Sequence, residues 1–600
     1  MAMLPTDRQT DRQTDRQTDR QTDRQTGYPS IDKPWLRYFR DEDLKAILPT
    51  CTVYKSVYEN NKDFSKNYAI NYMGNKISYA RLFEKVDACT RSLLSIGIKR
   101  GECISLLTAG VPESIYIVLA CSRIGAIANF INPLFNKEQM VERINDTEAD
   151  WLFVLDEMYT FIEGHIDDTC IKNVVVIPVT NSFNPVLAKA LFIKSKARSI
   201  LKSEHSIKYY SYNEFIRNGR KYDGKLDLDY EDNTSVVMVY SSGTTGASKG
   251  ILLTNESVNA IIQNYRRDTF YGKRKDTFLA MIPVWFSTGI VLSLIMPLAH
   301  GVCVIPEIQF SKESFARDLM KYKPSLTLTA TSLWIYVATS DKTKDIDLSQ
   351  MIYPSTGGEK ISEKDEIMLN RFLKEHGCQV NLLKGYGMCE LGSEITGTTA
   401  ADGYSAKIGS TGYPILNAIV SAFNIDTNEE LKYNEHGEIR ACTPAHMKGY
   451  YKNPDATAKF FKTDKEGRVW GCTGDIGYVD EDGEVFILGR ATDCYKSKEG
   501  KTVYLFDIED IILQEKSVAQ CKVVDIIENN ETKLVAHIVF MDGTNNEDEI
   551  IKKISNRLSK ELPAYMNPDY FKIRSSMPVH SNGKRDVGAL RDDRQNLIKA

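Results

Sequence analysis

Apolar residues in this chain fall either into short continuous runs or at helical spacing. Cys103–Leu107, Trp151–Leu155 and Val236–Val239 are brief apolar runs, the pattern of strands buried on both faces. Between them, Leu82, Val86, Cys89 and Leu93 recur one helical turn apart, and Gly97 ends that helix. Pro112–Ile124 and Lys137–Ile144 read as further helices, and Ala126–Ile131 as another strand. Ala69–Ile77 predicts a hairpin around Gly74-Asn75. Strand alternating with helix predicts an α/β domain with largely parallel pairing. The longest apolar run, Gly289–Ile305, contains His300 and Gly301. It falls short of the roughly 20 residues of a spanning helix and predicts a buried helix turning into a buried strand.

Composition narrows the class. The 600 residues are enough for more than one domain, and 42% apolar with 26% charged residues is ordinary for a globular enzyme. A net charge of −4 gives no field that recruits nucleic acid or membrane. The 12 cysteines form no CxxC and no metal-ligand spacing, and the 8 histidines form no HxxxH pair. Reduced thiols and no signal peptide predict a cytoplasmic protein, with no structural zinc. Residues 1–30 stand apart as a tail: Asp7–Thr26 is five copies of Asp-Arg-Gln-Thr, which has no apolar side chain to bury and is expected to be disordered. An ACAG tetranucleotide repeat encodes this sequence, so translated microsatellite DNA is its expected origin; mixed arginine or threonine codons would exclude that. Phe183–Glu204, with Lys194, Lys196, Arg198 and Lys202, reads as an inserted basic helix with a solvated face.

The stretch Tyr240-Ser241-Ser242-Gly243-Thr244-Thr245-Gly246-Ala247-Ser248-Lys249-Gly250 carries the most chemistry. It follows a strand, has little side-chain bulk and offers many N–H and O–H donors, which suits it to wrapping a polyphosphate. A helix restarts near Thr254-Asn255, both good cap residues. Lys249 follows Ser248 and precedes Gly250, so this is not the Gly-Lys-Ser/Thr of a Walker loop. The loop closely resembles the phosphate loop of the adenylate-forming enzymes (acyl-CoA synthetases, carrier-protein adenylation domains, luciferases), with Ser241 for threonine and Ser248 for proline.

Further motifs of that family follow in order. Pro283-Val284-Trp285-Phe286-Ser287-Thr288-Gly289 stands at its acyl-pocket station, with Phe286 in place of histidine. No acid lies between Ile282 and Ile290, which argues for an uncharged acyl chain, since an unpaired ammonium against Trp285 and Phe286 would be expensive to bury. Ser355–Lys360 carries Gly357, Gly358, Glu359 and Lys360; Gly385–Glu390 carries Tyr386, Gly387, Cys389 and Glu390. Trp470–Gly477 contains Asp475, and Pro578–Asp586 contains Lys584 after Asn582-Gly583.

The resemblance implies a fold and a set of roles. The fold is a large N-terminal α/β domain over 31–490, sheets flanked by helices plus a small β-barrel-like subdomain, and a small C-terminal α+β lid over 491–600. Ser241, Ser242, Gly243, Thr244, Thr245, Gly246 and Lys249 would hold ATP phosphates. Gly358, Glu359 and Lys360 would lie beside adenine, and Gly357 and Gly358 beside the acyl carboxyl. Trp285 and Phe286 would wall the acyl pocket. Tyr386 would pack on adenine next to Gly387, and Glu390 would hold Mg²⁺, a hard cation that wants carboxylate oxygen. Cys389 replaces a threonine donor with a weaker one. Asp475 and Arg490 would reach the ribose, Thr492 would be the hinge, and Lys496 and Gly500 would face the thiol acceptor, with one residue inserted before Gly500. Lys584 would be the adenylation lysine; with Glu390 and Thr244 it makes the catalytic set.

The implied reaction activates an uncharged carboxylic acid, a fatty acid or similar, with ATP and Mg²⁺ and passes it to coenzyme A. Two alternatives stay open: loading of the phosphopantetheine of a carrier protein, and a non-catalytic adenylate-binding member, to which Cys389, Leu505 and the Gly500 insertion point.

Overall fold

The computed structural model describes residues 26–184, 196–201, 207–241, 248–265, 274–399, 406–497, 502–541, 543–578 and 586–600. The repeat tract, most of the Phe183–Glu204 segment, Ser242–Ala247, Gly500 and Lys584 lie outside them. The chain divides into two compact units. One comprises Met1–Glu435, Arg440–Thr473 and Tyr478–Phe486; the other comprises His436–Ile439, Gly474–Gly477 and Ile487–Ala600.

Two large sheets organise the first unit. In the eight-stranded sheet the order is Gly449–Tyr450, Gly250–Thr254, Ser235–Tyr240, Ile127–Phe130, Cys103–Leu107, Trp151–Leu155, Asn173–Ile177, Lys208–Ser211. The last six pair in parallel. They are joined through helices such as Pro112–Ile124 and Lys137–Asp146, as the alternating pattern requires. Every residue of Pro112–Ile124 is buried, which explains its continuous rather than one-sided apolar character.

The nine-stranded sheet runs Tyr413–Pro414, Thr396–Gly397, Leu383–Tyr386, Tyr353–Gly357, Leu326–Thr329, Thr277–Ala280, Cys303–Pro306, Tyr68–Tyr72, Asn75–Ser78. Its middle is parallel and its two margins antiparallel. The hairpin at its edge turns at Met73-Gly74, both left-handed (φ 50° and 86°), and Asn75 already belongs to the second strand. The turn is therefore one residue earlier than the sequence pattern indicates.

Two further departures bear on the site. Gly250–Thr254 is a strand antiparallel to Ser235–Tyr240, so the polar loop joins a hairpin and does not lead straight into a helix. Sequence reading missed that strand, though the helix after it does start at Asn255, capped by Thr254 Oγ1, which accepts from Ser257 N at 3.1 Å. The apolar run after Gly289 is helix and then strand as expected, but Thr288–Ile295 is a π-helix, a form found mostly near functional sites.

In the second unit, strands Val518–Glu528, Glu531–Phe540, Tyr570–Arg574 and Ile598–Lys599 form one sheet, packed by helices Leu505–Leu513 and Glu547–Glu561 around Val523, Ala536, Ile538, Ile554 and Leu558. Cys494–Lys496 and Thr502–Tyr504 make a separate two-stranded ribbon. Glu509, in the first half of its helix, is buried against Lys522, Nζ to Oε1 3.1 Å.

Candidate functional site

The polar loop is pinned at both ends. Ser241 N donates to the Lys249 carbonyl at 3.0 Å, and Lys249 N donates back to Ser241 Oγ at 3.0 Å. Serine thus supplies the hydroxyl that its position needs. A Cβ on Gly250 would stand 2.9 Å from Met238 Sδ, so a larger residue there would require the methionine side chain to shift. Ser242, Gly243, Thr244, Thr245 and Gly246 fall between the pinned ends, outside the described residues.

Pairing of the short strand Gly449–Tyr450 with Gly250–Thr254 sets Tyr450 opposite Ile251, beside the loop exit. Lys249 Nζ lies 5.4 Å from the Tyr450 ring centroid, a cation–π distance. The Tyr450 hydroxyl donates to Glu390 Oε1 at 3.0 Å. Burial and the neighbouring Glu390 charge push the Tyr450 phenol far above its usual range, so it stays a donor. Glu390 itself is buried on the single turn Cys389–Leu391, and its carbonyl accepts from Met447 N at 2.8 Å. The line Lys249, Tyr450, Glu390 joins two sequence-derived residues through a third that sequence reasoning missed. Tyr450 lies outside the motifs named from the sequence, and strand pairing reveals it.

The turn from Tyr386 to Ile395 closes on itself. Ser393 N donates to the Met388 carbonyl at 2.9 Å, and Ile395 N to the Tyr386 carbonyl at 2.8 Å. Gly387 is obligatory, since a Cβ would meet the Ser393 carbonyl oxygen at 2.5 Å. Cys389 is half-buried at the head of the Glu390 turn. Ser393 Oγ donates to Ser287 Oγ at 2.6 Å, tying this turn to the segment that carries Trp285 and Phe286. Those two rings are partly buried, 6.4 Å apart at 51°. Gly289, the second residue of the π-helix, lies against the Pro283 carbonyl, leaving no space for a side chain.

Gly357 ends the strand Tyr353–Gly357, and Gly358 follows with φ 88° and open space around it, so glycine is there for its conformation. Glu359 is exposed and accepts from Ser332 N at 3.1 Å; Lys360 is exposed too.

The second unit holds the remaining residues. Arg490 Nε lies 3.1 Å from Asp475 Oδ1. Asp475 is largely buried and the Arg490 side chain half-exposed. Thr492 is exposed in the turn after Arg490, closed by Asp493 N donating to the Arg490 carbonyl at 2.9 Å. Lys496 lies on the ribbon strand Cys494–Lys496; Gly500 and Lys584 lie outside the described residues.

A hard divalent cation held mainly by nucleotide phosphates needs one or two protein carboxylates. Glu390 fits that requirement: it is a buried carboxylate, and its Oε1 accepts from Tyr450. Among the described residues no cluster of three or more potential ligands exists, so an all-protein metal cage is not what these residues form.

Two sheets flanked by helices, a pinned Gly/Ser/Thr loop and a buried glutamate beside it are the marks of an adenylate-forming enzyme. The chain belongs to the AMP-binding enzyme family, whose model matches residues 57–451, and the model of that family's C-terminal domain matches residues 507–584. Similar proteins include the probable CoA ligase CCL5 of Humulus lupulus, 25% identical over 85% of this chain and 87% of its own length. The 4-coumarate–CoA ligase 2 of Nicotiana tabacum is 26% identical over 88% of this chain and 91% of its own. Among solved structures, the anthranilate CoA ligase AuaEII in complex with anthranoyl-AMP superposes with TM-score 0.74 at 20% identity, over 91% of this chain and 97% of that one.

Proposed function

We propose that this protein is an acid–thiol ligase that activates a carboxylic acid as its acyl-adenylate and transfers the acyl group to coenzyme A. The observation that carries this reading is the line Lys249, Tyr450, Glu390 at the exit of the phosphate loop, in a chain of the AMP-binding family. The CoA ligases among its relatives support the thiol acceptor.

A carboxylate is a poor acyl donor because its leaving group would be oxide. Attack of a carboxylate oxygen on the α-phosphorus of ATP forms one P–O bond and breaks the bond to the β-phosphate, releasing pyrophosphate. The mixed anhydride then has AMP as a good leaving group. A thiolate attacks its carbonyl carbon, and the thioester and AMP separate.

The protein's share is positioning and charge stabilisation. Lys249 offsets charge on the departing pyrophosphate, and the tyrosine ring beneath it limits its freedom. The loop hydroxyls of Ser241, Ser242, Thr244 and Thr245 donate to phosphate oxygens. Glu390 would hold Mg²⁺, which when bound supplies positive charge to the phosphates. Asp475 accepts from ribose hydroxyls beside Arg490. Lys584 serves the adenylation half. Trp285 and Phe286 offer apolar surface to the body of the acid.

The test is a panel of short, medium, long and aryl acids, with pyrophosphate and AMP formation followed with and without coenzyme A. Lys584→Ala should abolish adenylate formation yet spare thioester formation from a preformed acyl-adenylate. Equal loss of both halves overturns that assignment, and no pyrophosphate release with any acid overturns the ligase reading.

A further inference from the structure

Three glycines stand in register across neighbouring strands of the nine-stranded sheet: Gly357 opposite Gly385, and Gly385 opposite Gly397. In-register residues on paired strands share a face, so this row strips side chains from one patch of sheet. The Glu394 carboxyl fills part of it. A Cβ on Gly385 would collide with Glu394 Oε1, and one on Gly397 would stand 2.7 Å from it. Glu394 is brought there by a turn held in two successive left-handed residues, Gly392 and Ser393, each at φ 79°. A serine rarely adopts that conformation, and here the turn aims a carboxyl at the row that begins with Gly357.

Glu394 is 8% exposed, and among the described residues no hydrogen bond or ion pair reaches its carboxyl. The other buried glutamates all have partners. Glu113 accepts from Asn181 and Ser182, Glu307 meets Arg317, Glu366 meets Lys384, Glu390 accepts from Tyr450, Glu484 accepts from Lys407 N, and Glu509 meets Lys522. A largely buried carboxyl with no partner among the described residues takes its hydrogen bonds from outside the protein, from water or from a bound ligand.

We propose that Glu394 is a specificity-determining residue of the acyl pocket, which selects an acid bearing a hydrogen-bond donor, hydroxyl or amino, at the end away from its carboxyl. The proposal rests on the ligase reading above. The row starts at Gly357, where the acyl carboxyl belongs, and the Glu394 turn is bonded to the Trp285-Phe286 segment through Ser393 and Ser287. Trp285 Nε1 is buried there without a hydrogen-bond partner among the described residues, a second polar group for the same ligand. The absence of an acid between Ile282 and Ile290 therefore does not make the pocket wholly apolar; a carboxyl comes from a different loop.

The experiment uses the full chain and matched acids: cinnamate with 4-hydroxycinnamate and 4-aminocinnamate, and octanoate with 8-hydroxyoctanoate and 8-aminooctanoate. Pyrophosphate release gives kcat/KM for each. The donor-bearing member of at least one series is expected to exceed its donor-free partner by on the order of 100-fold, because a site built around a polar group rejects the analogue that leaves it unpaired. Glu394→Leu should bring that ratio to about 1 or invert it, and Glu394→Gln should retain the hydroxyl preference and lose the preference for the charged ammonium of 8-aminooctanoate. Equal or better use of the donor-free acid in both series by the unaltered protein overturns the proposal, with no variant needed. Equilibrium binding of the same acids, in the presence of a non-hydrolysable ATP analogue, separates the two readings. A donor preference in binding without pyrophosphate release upholds Glu394 and removes the ligase assignment; no preference in binding removes Glu394.

Discussion

Tyr450 donates its hydroxyl hydrogen to Glu390 Oε1 over 3.0 Å, and the face of the same ring lies 5.4 Å from Lys249 Nζ. One side chain thus bonds the glutamate assigned to Mg²⁺ and steadies the lysine that ends the phosphate loop. A hydrogen bond to a charged acceptor is worth about 1.5–3 kcal/mol, and an exposed cation–π contact about 0.5–1 kcal/mol. Tyr450→Phe removes the first and keeps the second. It should slow pyrophosphate release by roughly 10-fold or more with the KM of the acid unchanged. Tyr450→Leu removes both and should be slower still. Steady-state pyrophosphate assays on the two variants read the difference, and parity with the unaltered protein would leave Tyr450 as packing only.

Cys389 heads the turn that carries Glu390, at a position where the family has a threonine. A thiol donates weakly and a hydroxyl donates well. Cys389→Thr should therefore keep or raise the rate of pyrophosphate release, by up to about 10-fold, one hydrogen bond's worth. A large fall would show that the thiol has a part of its own.

The elements were legible where a single period governs them. Pro112–Ile124 and Trp151–Leu155 are read from sequence with their observed bounds, and Thr254 signals the helix it caps. The strand Gly250–Thr254 was not legible, because five residues following a glycine-rich loop look like the lead-in to the helix that follows. Glu390, Asp475 and Arg490 stand in motifs and could be picked out as letters. Tyr450 could not: its partner Glu390 is 60 residues away, and only an antiparallel pairing with Ile251 brings it to the loop. Glu394 escaped for a related reason. The motif places a pocket acid only in the contiguous Ile282–Ile290 window, whereas a pocket is assembled from any loops that meet in space.

The glycine row makes a packing prediction. Gly385→Ala places a methyl group against Glu394 Oε1, with Gly357 and Gly397 on either side in register. Overpacking of this kind costs about 1–3 kcal/mol. The variant should lose that much in denaturant unfolding, and adding Glu394→Ala should restore most of it. Failure of the double variant to recover would mean that the backbone at Gly385, and not the carboxyl, sets the requirement for glycine.

Glu394 also fixes the sign of a pH dependence. Burial alone raises its carboxyl from 4.5 to about 8. Between those values the folded protein holds a proton that the unfolded chain has released, so folding is favoured more strongly at the acid end. The contribution is full below pH 4.5, is lost progressively as pH rises through the interval, and levels off above about 8. Glu394→Gln, which cannot titrate, should remove that slope while other groups keep theirs. Urea midpoints at pH 5, 6, 7 and 8 for the two proteins check this: their difference should grow with pH in favour of the glutamine variant. A difference that stays constant would mean that the carboxyl is already charged at pH 5, and that water or another group reaches it.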